Sequence, residues 1–392
     1  MIALVAALII ATEPLSATTA TPSPTPSSSA VPETALDFLN AGLRAAKTGD
    51  YKSAIAQYDS AIKVAPNYWE AYFARGVARD ATGDFQGARN DYDRVIALHP
   101  GNADAYYNRG VVRHELADDR GALSDFDKAL VLDPTNVNTL LSRGLARTLV
   151  GDAKGALADY DQALTQSPDR WIAYDDRGLA YFSMGDFRRA KSDFDTYIKE
   201  VPGDPKAYLS RGLTEIKLGD DREAIGDLTF AISKGTSVAA AYYDRGLARH
   251  ALHQDAAAID DFSAAIRFDP TLVEAYVNRG ALRHDRRDDR EALADLDRAV
   301  ALDPKFSPSY LNRGNVRRAL RDQAGALSDY DRAIELDPRS GLAYFDRAVL
   351  HADDRQYDLA RADFRRAGQL FAASGDSSHL HQAQAYLNQL PK

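Results

Sequence analysis

The stretch ADAYYNRGVVRHELADDRGALSDFDKALVLDPTN, residues 103–136, contains the pattern that decides the fold. Its apolar and aromatic residues recur at spacings of three and four in two groups, one around Tyr106 and Val111 and one around Phe126. The two groups predict two consecutive amphipathic helices. Pro134 follows the second group, and we expect the second helix to stop there because the residue before a proline is pushed out of the helical region.

This pattern returns every 34 residues. The proline recurs at Pro66, Pro100, Pro134, Pro168, Pro202, Pro270, Pro304 and Pro338, with Thr236 interrupting the column. In the same phase, glycine recurs at Gly42, Gly76, Gly110, Gly144, Gly178, Gly212, Gly246, Gly280 and Gly314. A third column is alanine in every repeat, from Ala54 to Ala360. A fixed period of this length indicates a stack of supersecondary units, and it predicts ten repeats over residues 35–374.

The joint between the two helices is also marked in the sequence. Several repeats carry Gly-Asp there, as in Gly49-Asp50 and Gly151-Asp152. Glycine can adopt the left-handed conformation that ends a helix, and aspartate can accept hydrogen bonds from the free amides that begin the next. The glycine and alanine columns inside the helices favour close approach of two helix backbones, because a larger side chain would separate them.

These columns resemble the tetratricopeptide repeat family, whose signature is an aromatic residue, Gly, Ala, an aromatic residue, Ala and Pro over 34 residues. The repeat at residues 103–136 supplies Tyr106, Gly110, Ala122, Phe126, Ala129 and Pro134 for those places. The resemblance implies an all-α fold: a right-handed superhelical α-solenoid of about ten 34-residue helix-turn-helix repeats with a C-terminal capping helix. Leu380, Ala383, Leu387 and Leu390 follow the repeats at helical spacing and predict that capping helix over residues 375–392.

The chain departs from the family pattern at the place before the glycine, where the family usually has leucine. Arginine stands there at Arg75, Arg109, Arg143, Arg177, Arg211, Arg245, Arg279, Arg313 and Arg347. The second helices carry pairs such as Asp125 and Asp127, and short Asp with planar Arg is suited to bidentate pairing between closely packed helices. We therefore predict a structural ladder of ion pairs. Within it, we expect Arg113 to be coupled to Asp127, because their two columns are mostly filled or lost together.

The N-terminus differs from the repeats. Residues 2–11, IALVAALIIA, are too short an apolar run to span a bilayer but have the length of the apolar region of a secretory signal. We predict a signal peptide at residues 1–20 and a disordered Ser/Thr/Pro-rich tether at 21–34, with export to the periplasm or the extracellular space. No basic residue precedes the apolar run, so a cytoplasmic location is the alternative if the segment is not a signal.

Composition and missing motifs exclude several function classes. The chain has 48 basic and 57 acidic residues, a net charge of -9, which disfavours nucleic acid as a partner. It has no cysteine, and it lacks GxxxxGK[ST], GxGxxG, HExxH and GxSxG strings. We expect no integral membrane span in the mature chain, no cofactor, no metal site and no enzymatic activity; the histidines are interpreted as polar residues on the solvated inner face.

The resemblance implies that the first helices line a concave surface that binds extended or helical peptide segments. The predicted partner-binding residues on it are Tyr107, Asn108, Asp175, Asp176, Tyr243, Asp244, Asn278 and Asn312. Their carboxylates favour a neutral or basic protein or peptide as the partner. Because neither Asp176 nor Asp244 lies in the Gly and Ala columns, we expect their change to Asn to leave the melting temperature nearly unaltered. The alternative is that the aromatic members only pack between neighbouring first helices.

Two function classes follow from these observations. The first is a non-enzymatic protein–protein interaction scaffold that binds a partner segment on the concave face, outside the cytoplasm. The second is an architectural protein that self-associates through exposed repeat ends.

Overall fold

The computed structural model describes residues 31–235 and 238–391, all of whose regular structure is helical. In chain order the helices are α1 Glu33–Lys47, α2 Tyr51–Val64, α3 Trp69–Ala81, α4 Phe85–Leu98, α5 Ala103–Glu115, α6 Asp119–Leu132, α7 Val137–Leu149, α8 Ala153–Gln166, α9 Ile172–Ser183, α10 Phe187–Glu200, α11 Pro205–Leu218, α12 Asp221–Ser233, α13 Val238–Ala251, α14 Asp255–Phe268, α15 Val273–Asp285, α16 Asp289–Leu302, α17 Ser307–Ala319, α18 Gln323–Leu336, α19 Gly341–Asp353, α20 Tyr357–Ser374 and α21 Ser377–Gln389. The all-α repeat architecture predicted from the 34-residue period is confirmed.

The two N-terminal predictions fall mainly outside the described residues. The predicted signal peptide at 1–20 and most of the tether at 21–34 precede residue 31. The tether's end is described, and there α1 already begins at Glu33, after Pro32 in an extended conformation. The predicted boundary is therefore two residues late, because a proline can stand directly before a helix and Glu33 favours its first turn.

The helices form two compact units, one ending at Leu218 and the other beginning at Gly219. The first unit contains α1–α11 and the second contains α12–α21. Within each unit a helix packs against the helices before and after it in sequence. The strongest contacts between alternate helices all join the first helices of neighbouring repeats, as α5 to α7 and α15 to α17. The first helices therefore form a layer of their own in each unit.

The turn between the two helices of a repeat always contains one residue in the left-handed conformation. Glycine occupies it in five repeats, with φ between 78° and 86° at Gly49, Gly83, Gly151, Gly185 and Gly219. The other five repeats use a residue with a side chain: Ala117, His253, Arg287, Arg321 and Arg355, with φ between 57° and 68°. The prediction for Gly-Asp turns is confirmed, and the packed helix pair imposes the same backbone where sequence alone would not suggest it.

Both predicted helix-end signals are confirmed. Asp152 caps α8 by accepting a hydrogen bond from the Gly155 amide at 3.0 Å, and Asp84 does the same for α4. The residue before each proline leaves the helix, as His99 does with φ −139° and ψ 77° after α4 ends at Leu98. Local sequence therefore determines where most of the helices begin and end.

The glycine column faces side chains, where we had expected helix backbone. A Cβ at Gly110 would lie 2.6 Å from Cε1 of Phe126, and one at Gly144 would lie 2.7 Å from Cε1 of Tyr160. Both rings come from the second helix of the same repeat and are fully buried. The alanine column is equally buried, as Ala122 and Ala156 show. The two helices must approach closely at this column, as predicted. The glycine leaves space for an aromatic ring of the second helix rather than for its backbone.

The ion-pair ladder is confirmed as a repeated structural element. Arg109 on α5 binds both carboxylate oxygens of the buried Asp125, with Nε to Oδ2 at 2.8 Å and Nη2 to Oδ1 at 2.5 Å. Its third nitrogen, Nη1, donates to Asp93 of the preceding repeat at 2.7 Å. The same two-way contact recurs around Arg75, Arg143, Arg177, Arg313 and Arg347. Each of these arginines thus closes its own helix pair and ties it to the one before.

The predicted partner of the second arginine column was wrong. Arg113 contacts the buried Asp125 at 2.9 Å, whereas Asp127 contacts Arg143 of the next repeat at 2.7 Å. Arg79 and Arg147 likewise reach the first Asp of their own repeat, at 2.8 and 2.7 Å. The second Asp of each pair points along the stack toward the following repeat, where the first-column arginine reaches it.

The helix predicted after the last repeat is present as α21 and packs on α20. Ala383 is buried beside Phe371, and Leu387 and Leu390 pack against the core around Phe364. The helix therefore covers apolar surface that the last repeat would otherwise expose.

Candidate partner-binding face

In the first unit, Tyr107 and Asn108 lie inside the layer of first helices. The Tyr107 ring packs on Phe126 with centroids 6.0 Å apart, and its hydroxyl oxygen lies 3.5 Å from Oγ of Ser142 on α7. Asn108 is fully buried. Burial raises the pKa of the Tyr107 hydroxyl. Both side chains therefore contribute to the packing between consecutive repeats.

The second unit repeats this arrangement at Tyr243. Its ring packs on Phe262 with centroids 5.7 Å apart, and its hydroxyl accepts a hydrogen bond from Nδ2 of Asn278 on α15 at 3.0 Å. Burial raises the pKa of Tyr243 to about 12. Asn312 donates from Nδ2 to the Pro308 carbonyl at 2.9 Å, and Asp244 is buried. The alternative that the aromatic members pack between first helices therefore describes Tyr107 and Tyr243 well; their role toward a partner stays a prediction.

Asp175 and Asp176, consecutive residues of α9, form a distinct pair. Only 6% and 8% of these residues is exposed. Oδ1 of Asp175 is buried with no hydrogen-bond partner among the described residues. Burial, followed by the charges of Asp176 and Asp204, raises the pKa of Asp175 well above its ordinary value; burial alone raises the pKa of Asp176 to about 7. Neither carboxyl group forms an ion pair within the described residues, and only the charge of Lys206 opposes the rise at Asp175.

Tyr197 and Asp204, whose charges or hydroxyl act on this pair of acids, were not singled out from the sequence. The Tyr197 hydroxyl, on α10, donates to Oδ2 of Asp204 at 3.0 Å, and Oδ1 of Asp204 accepts from the Lys206 amide at 2.9 Å. Asp204 thus has partners for both oxygens, while Asp175 keeps one without. The sequence does contain a signal that Asp204 lies at a helix start. It occupies the same repeat position as Asn102 and Asn136, which cap the first helices of earlier repeats.

Asp80 on α3 and Tyr92 on α4 also have unusual surroundings and were not singled out from the sequence. Burial, with the charge of Glu115, raises the pKa of Asp80 to about 6. The Tyr92 hydroxyl is buried and has no hydrogen-bond partner among the described residues. Nothing in the spacing of Asp80 distinguishes it from a surface acid, since its burial depends on how the helices pack.

Three histidines, His114, His250 and His284, bridge the turn between the two helices of their repeat. His114 Nδ1 lies 2.6 Å from Asp119 Oδ1, and His284 has the same contact with Asp289 at 2.6 Å. Over residues 31–235 and 238–391, no group of three or more His, Asp or Glu side chains could hold a metal ion. Within those residues no helix combines the length and apolar character needed to cross a bilayer.

The repeat columns and the packing of the helices agree with one known protein family. The model of the tetratricopeptide repeat matches residues 39–91, 76–137, 176–229, 213–273 and 311–377. The chain belongs to the tetratricopeptide repeat family. No relative was found among curated protein sequences.

Solved structures similar to this tetratricopeptide repeat protein belong to diverse proteins. A tetratricopeptide repeat protein from Parabacteroides merdae is 21% identical, with a TM-score of 0.49 over 61% of this chain and 94% of that one. YrrB, a tetratricopeptide repeat protein with an unusual peptide-binding site, is 20% identical, with a TM-score of 0.41 over 44% of this chain and 89% of that one. The Cut9–Hcn1 hetero-tetramer of APC/C contains a chain 13% identical, with a TM-score of 0.49 over 92% of this chain and 97% of that one.

Proposed function

We propose that this protein is a non-enzymatic scaffold that binds a segment of a neutral or basic partner protein along its first helices, outside the cytoplasm. The observation that carries the proposal is the contrast between carboxylates. Buried ladder aspartates such as Asp125 are held by two arginines. Asp175 and Asp176 are equally buried on a first helix and make no ion pair within the described residues. A buried acid without an ion-pair partner costs stability, and acids with perturbed pKa values are concentrated at functional sites.

A scaffold explains the chemistry of the repeats better than an enzyme does. The ion pairs recur at intervals of 34 residues, whereas an active site is a single place. The His–Asp contacts also recur, at His114, His250 and His284, and each bridges a turn. Repetition of this kind serves the fold.

Export is part of the proposal and rests on the apolar run at residues 2–11. The measurement is the intact mass of the protein isolated from its native host. We expect loss of the first 17 to 20 residues, and a retained Met1 would contradict export.

The packing of α21 disfavours self-association through the C-terminal end of the repeats. The C-terminal end is covered by α21, whose Ala383 is buried against the last repeat. An end already covered in this way has little apolar surface left to stack on a second copy.

A photocrosslinking residue introduced at Asn278 tests the binding face. Asn278 is half-buried on a first helix, and Arg298, exposed on the second helix of the same repeat, is the matched control position. In the native host we expect Asn278 to capture a defined protein that Arg298 does not. Equal capture at both positions, or capture only at Arg298, would rule out the first-helix face.

A further inference from the structure

The ion-pair ladder changes its composition in the second unit. In most repeats the second Asp of the second helix, here called the outer aspartate, pairs with the first-column arginine of the next repeat. On α12 this place is taken by Thr229, whose Oγ1 accepts from Nη1 of Arg245 at 3.0 Å. On α14 it is taken by Ser263, whose Oγ accepts from Nη1 of Arg279 at 3.0 Å. The outer aspartates that pair with an arginine elsewhere are Asp59, Asp93, Asp127, Asp161, Asp195, Asp297 and Asp331.

The repeat at residues 239–272 has two arginines for one carboxylate. Arg245 and Arg249 both bind the buried Asp261, at 2.7 and 2.8 Å. The turn residue before α14 is Gln254, where most repeats with a second-column arginine have an aspartate. Nη1 of Arg249 is engaged, whereas its Nε and Nη2 make no hydrogen bond or ion pair within residues 31–235 and 238–391. The side chain of Arg249 is 22% exposed, so this excess of positive charge is accessible to solvent.

A complete junction in the first unit shows where a further carboxylate fits. Oδ1 of the outer aspartate Asp127 lies 2.7 Å from Nη1 of Arg143 and 3.9 Å from Nη2 of Arg147. The Asp127 side chain is 57% exposed, so the place between the two guanidinium groups is open to solvent. Thr229 holds the equivalent position in the second unit and is exposed as well. A carboxylate from outside the chain can therefore reach the place that Asp127 fills from within.

The junction at Ser263 is less suited to an anion. A cavity of about 430 Å³ lies there, lined by residues of α14, α15 and α16 and by the turn between the last two. Its walls include Arg283 and one further arginine but also Asp260, Asp288 and Glu291. Three carboxylates against two guanidinium groups repel a further negative charge. Only the junction at Thr229 combines an excess of arginine with an exposed place for the carboxylate.

We propose that Arg245 and Arg249 bind the carboxylate of one aspartate or glutamate side chain of a partner protein, beside Thr229. The carboxylate accepts from Nη1 of Arg245 in place of the threonine hydroxyl and from Nη2 of Arg249, as Asp127 does at its own junction. The inference goes beyond the proposed scaffold function, because this place lies against a second helix, α12, and takes an acidic group. The protein would then hold partner chains at two separate surfaces.

The test attaches a carboxylate next to the place. The chain contains no cysteine, so a single introduced cysteine is a unique attachment point. Gly226 is exposed three residues before Thr229, on the same face of α12, and a Cβ there would meet no atom within 4 Å. The full chain with Gly226→Cys is equilibrated with equal amounts of the disulfides of mercaptopropionate and mercaptopropionamide, and intact mass gives the ratio of the two adducts. Attachment raises the effective concentration of the carboxylate, so a single weak contact becomes measurable.

The matched control is Ser328→Cys. Ser328 is exposed at the equivalent position of α18, where Asp331 already fills the outer place. We expect the ratio of carboxylate to amide adduct to be about fivefold higher for Gly226→Cys than for the control at low salt, and the excess to shrink at high salt. Adding Thr229→Asp to Gly226→Cys should remove the excess, because the new carboxylate occupies the place.

Two results would overturn the proposal. One is an equal adduct ratio in the two cysteine variants, and the other is an excess that Thr229→Asp leaves unchanged. Circular dichroism checks that each variant is folded, and all the substituted residues are exposed. Capture at Asn278 in the crosslinking experiment does not depend on these outcomes, so the scaffold proposal can stand when this second surface fails.

Discussion

The aspartates of the ladder and those of α9 are the same chemical group under opposite conditions. Asp91 is buried, and although burial raises its pKa, Arg75 and Arg79 act against that rise with hydrogen bonds and positive charge. Asp175 is buried to a similar degree beside other acids, and its pKa is raised with only Lys206 opposing the rise. Burial is thus common to both, and the neighbouring cations decide how far its unfavourable effect on the carboxylate is offset.

This difference separates structure from binding. A ladder aspartate is satisfied within the chain, so it has nothing left to offer a partner. The α9 acids form no ion pair in the described chain, and their raised pKa values lower the stability of the free protein above about pH 4; acids with such raised pKa values are concentrated at functional sites. The comparison can be tested by removing an arginine that pairs with a ladder aspartate and, separately, by removing the charge of an α9 aspartate.

The largest effect is expected from Arg109→Ala. It leaves Asp125 buried with only Arg113 and removes the tie to Asp93. Loss of one partner from a buried pair costs about 3–5 kcal/mol of unfolding free energy. Urea denaturation measures it, with Arg120→Ala, an exposed arginine in the same repeat, as the control. A loss no greater than that of the control would show that the ladder is a surface feature.

The next effect is a gain in unfolding free energy for Asp176→Asn, which differs from the nearly unchanged melting temperature expected from the sequence for the joint change of Asp176 and Asp244. In the folded protein the pKa of Asp176 is about 7, against an ordinary value of 3.8. The acid is therefore protonated in both states below about pH 4, and folding is progressively penalised as the pH rises from about 4 to about 7. Asn carries no such penalty.

We expect Asp176→Asn to gain stability over the parent between pH 4 and pH 8, by on the order of 2–4 kcal/mol. Thermal denaturation across this pH range checks the gain. Asp169→Asn is the control, because its carboxyl group is exposed. A stability difference between Asp176→Asn and the parent that stays constant with pH would mean that Asp176 is hydrated in the native protein.

A smaller effect, the coupling free energy between Arg113 and an aspartate, distinguishes its two possible partners. A double-mutant cycle with Asp125 should give a coupling of about 1–2 kcal/mol, since the two groups are 2.9 Å apart and the acid is buried. The cycle with Asp127 should give a value near zero, because Asp127 contacts Arg143 of the next repeat instead. Coupling to Asp127 as strong as that to Asp125 would restore the pairing inferred from the sequence.

The smallest effect is expected at the exposed end of the ladder. Asp93 is 48% exposed in its pair with Arg109, so Asp93→Ala should cost less than about 1 kcal/mol and less still at high salt. Denaturation at low and high ionic strength measures both. A cost as large as that of Arg109→Ala would mean that the link between repeats matters as much as the pair inside one.

Some errors in the sequence-based predictions have a common physical origin. A 34-residue period shows that two columns belong together but not which repeat supplies each partner, so Arg113 was assigned to Asp127 when the second Asp in fact meets the next arginine. In the same way, Ala117 and Arg287 gave no sign of a left-handed turn, because the packed helix pair imposes that backbone. Both depend on neighbours in space.

The sequence by itself determined the repeat, its two helices, the turn and cap residues and the Arg–Asp chemistry, because periodicity and local backbone preferences are written along the chain. Only the tertiary structure decided which carboxyl groups lose water and which of those find a cation. Asp125 and Asp175 are indistinguishable as letters, yet one is held by Arg109 and Arg113 and the other has an oxygen without a partner in the described chain. Burial and pairing arise where neighbouring helices meet, and for that reason the difference between Asp125 and Asp175 became visible only in the folded molecule, although Asp175 was already among the residues predicted from the sequence.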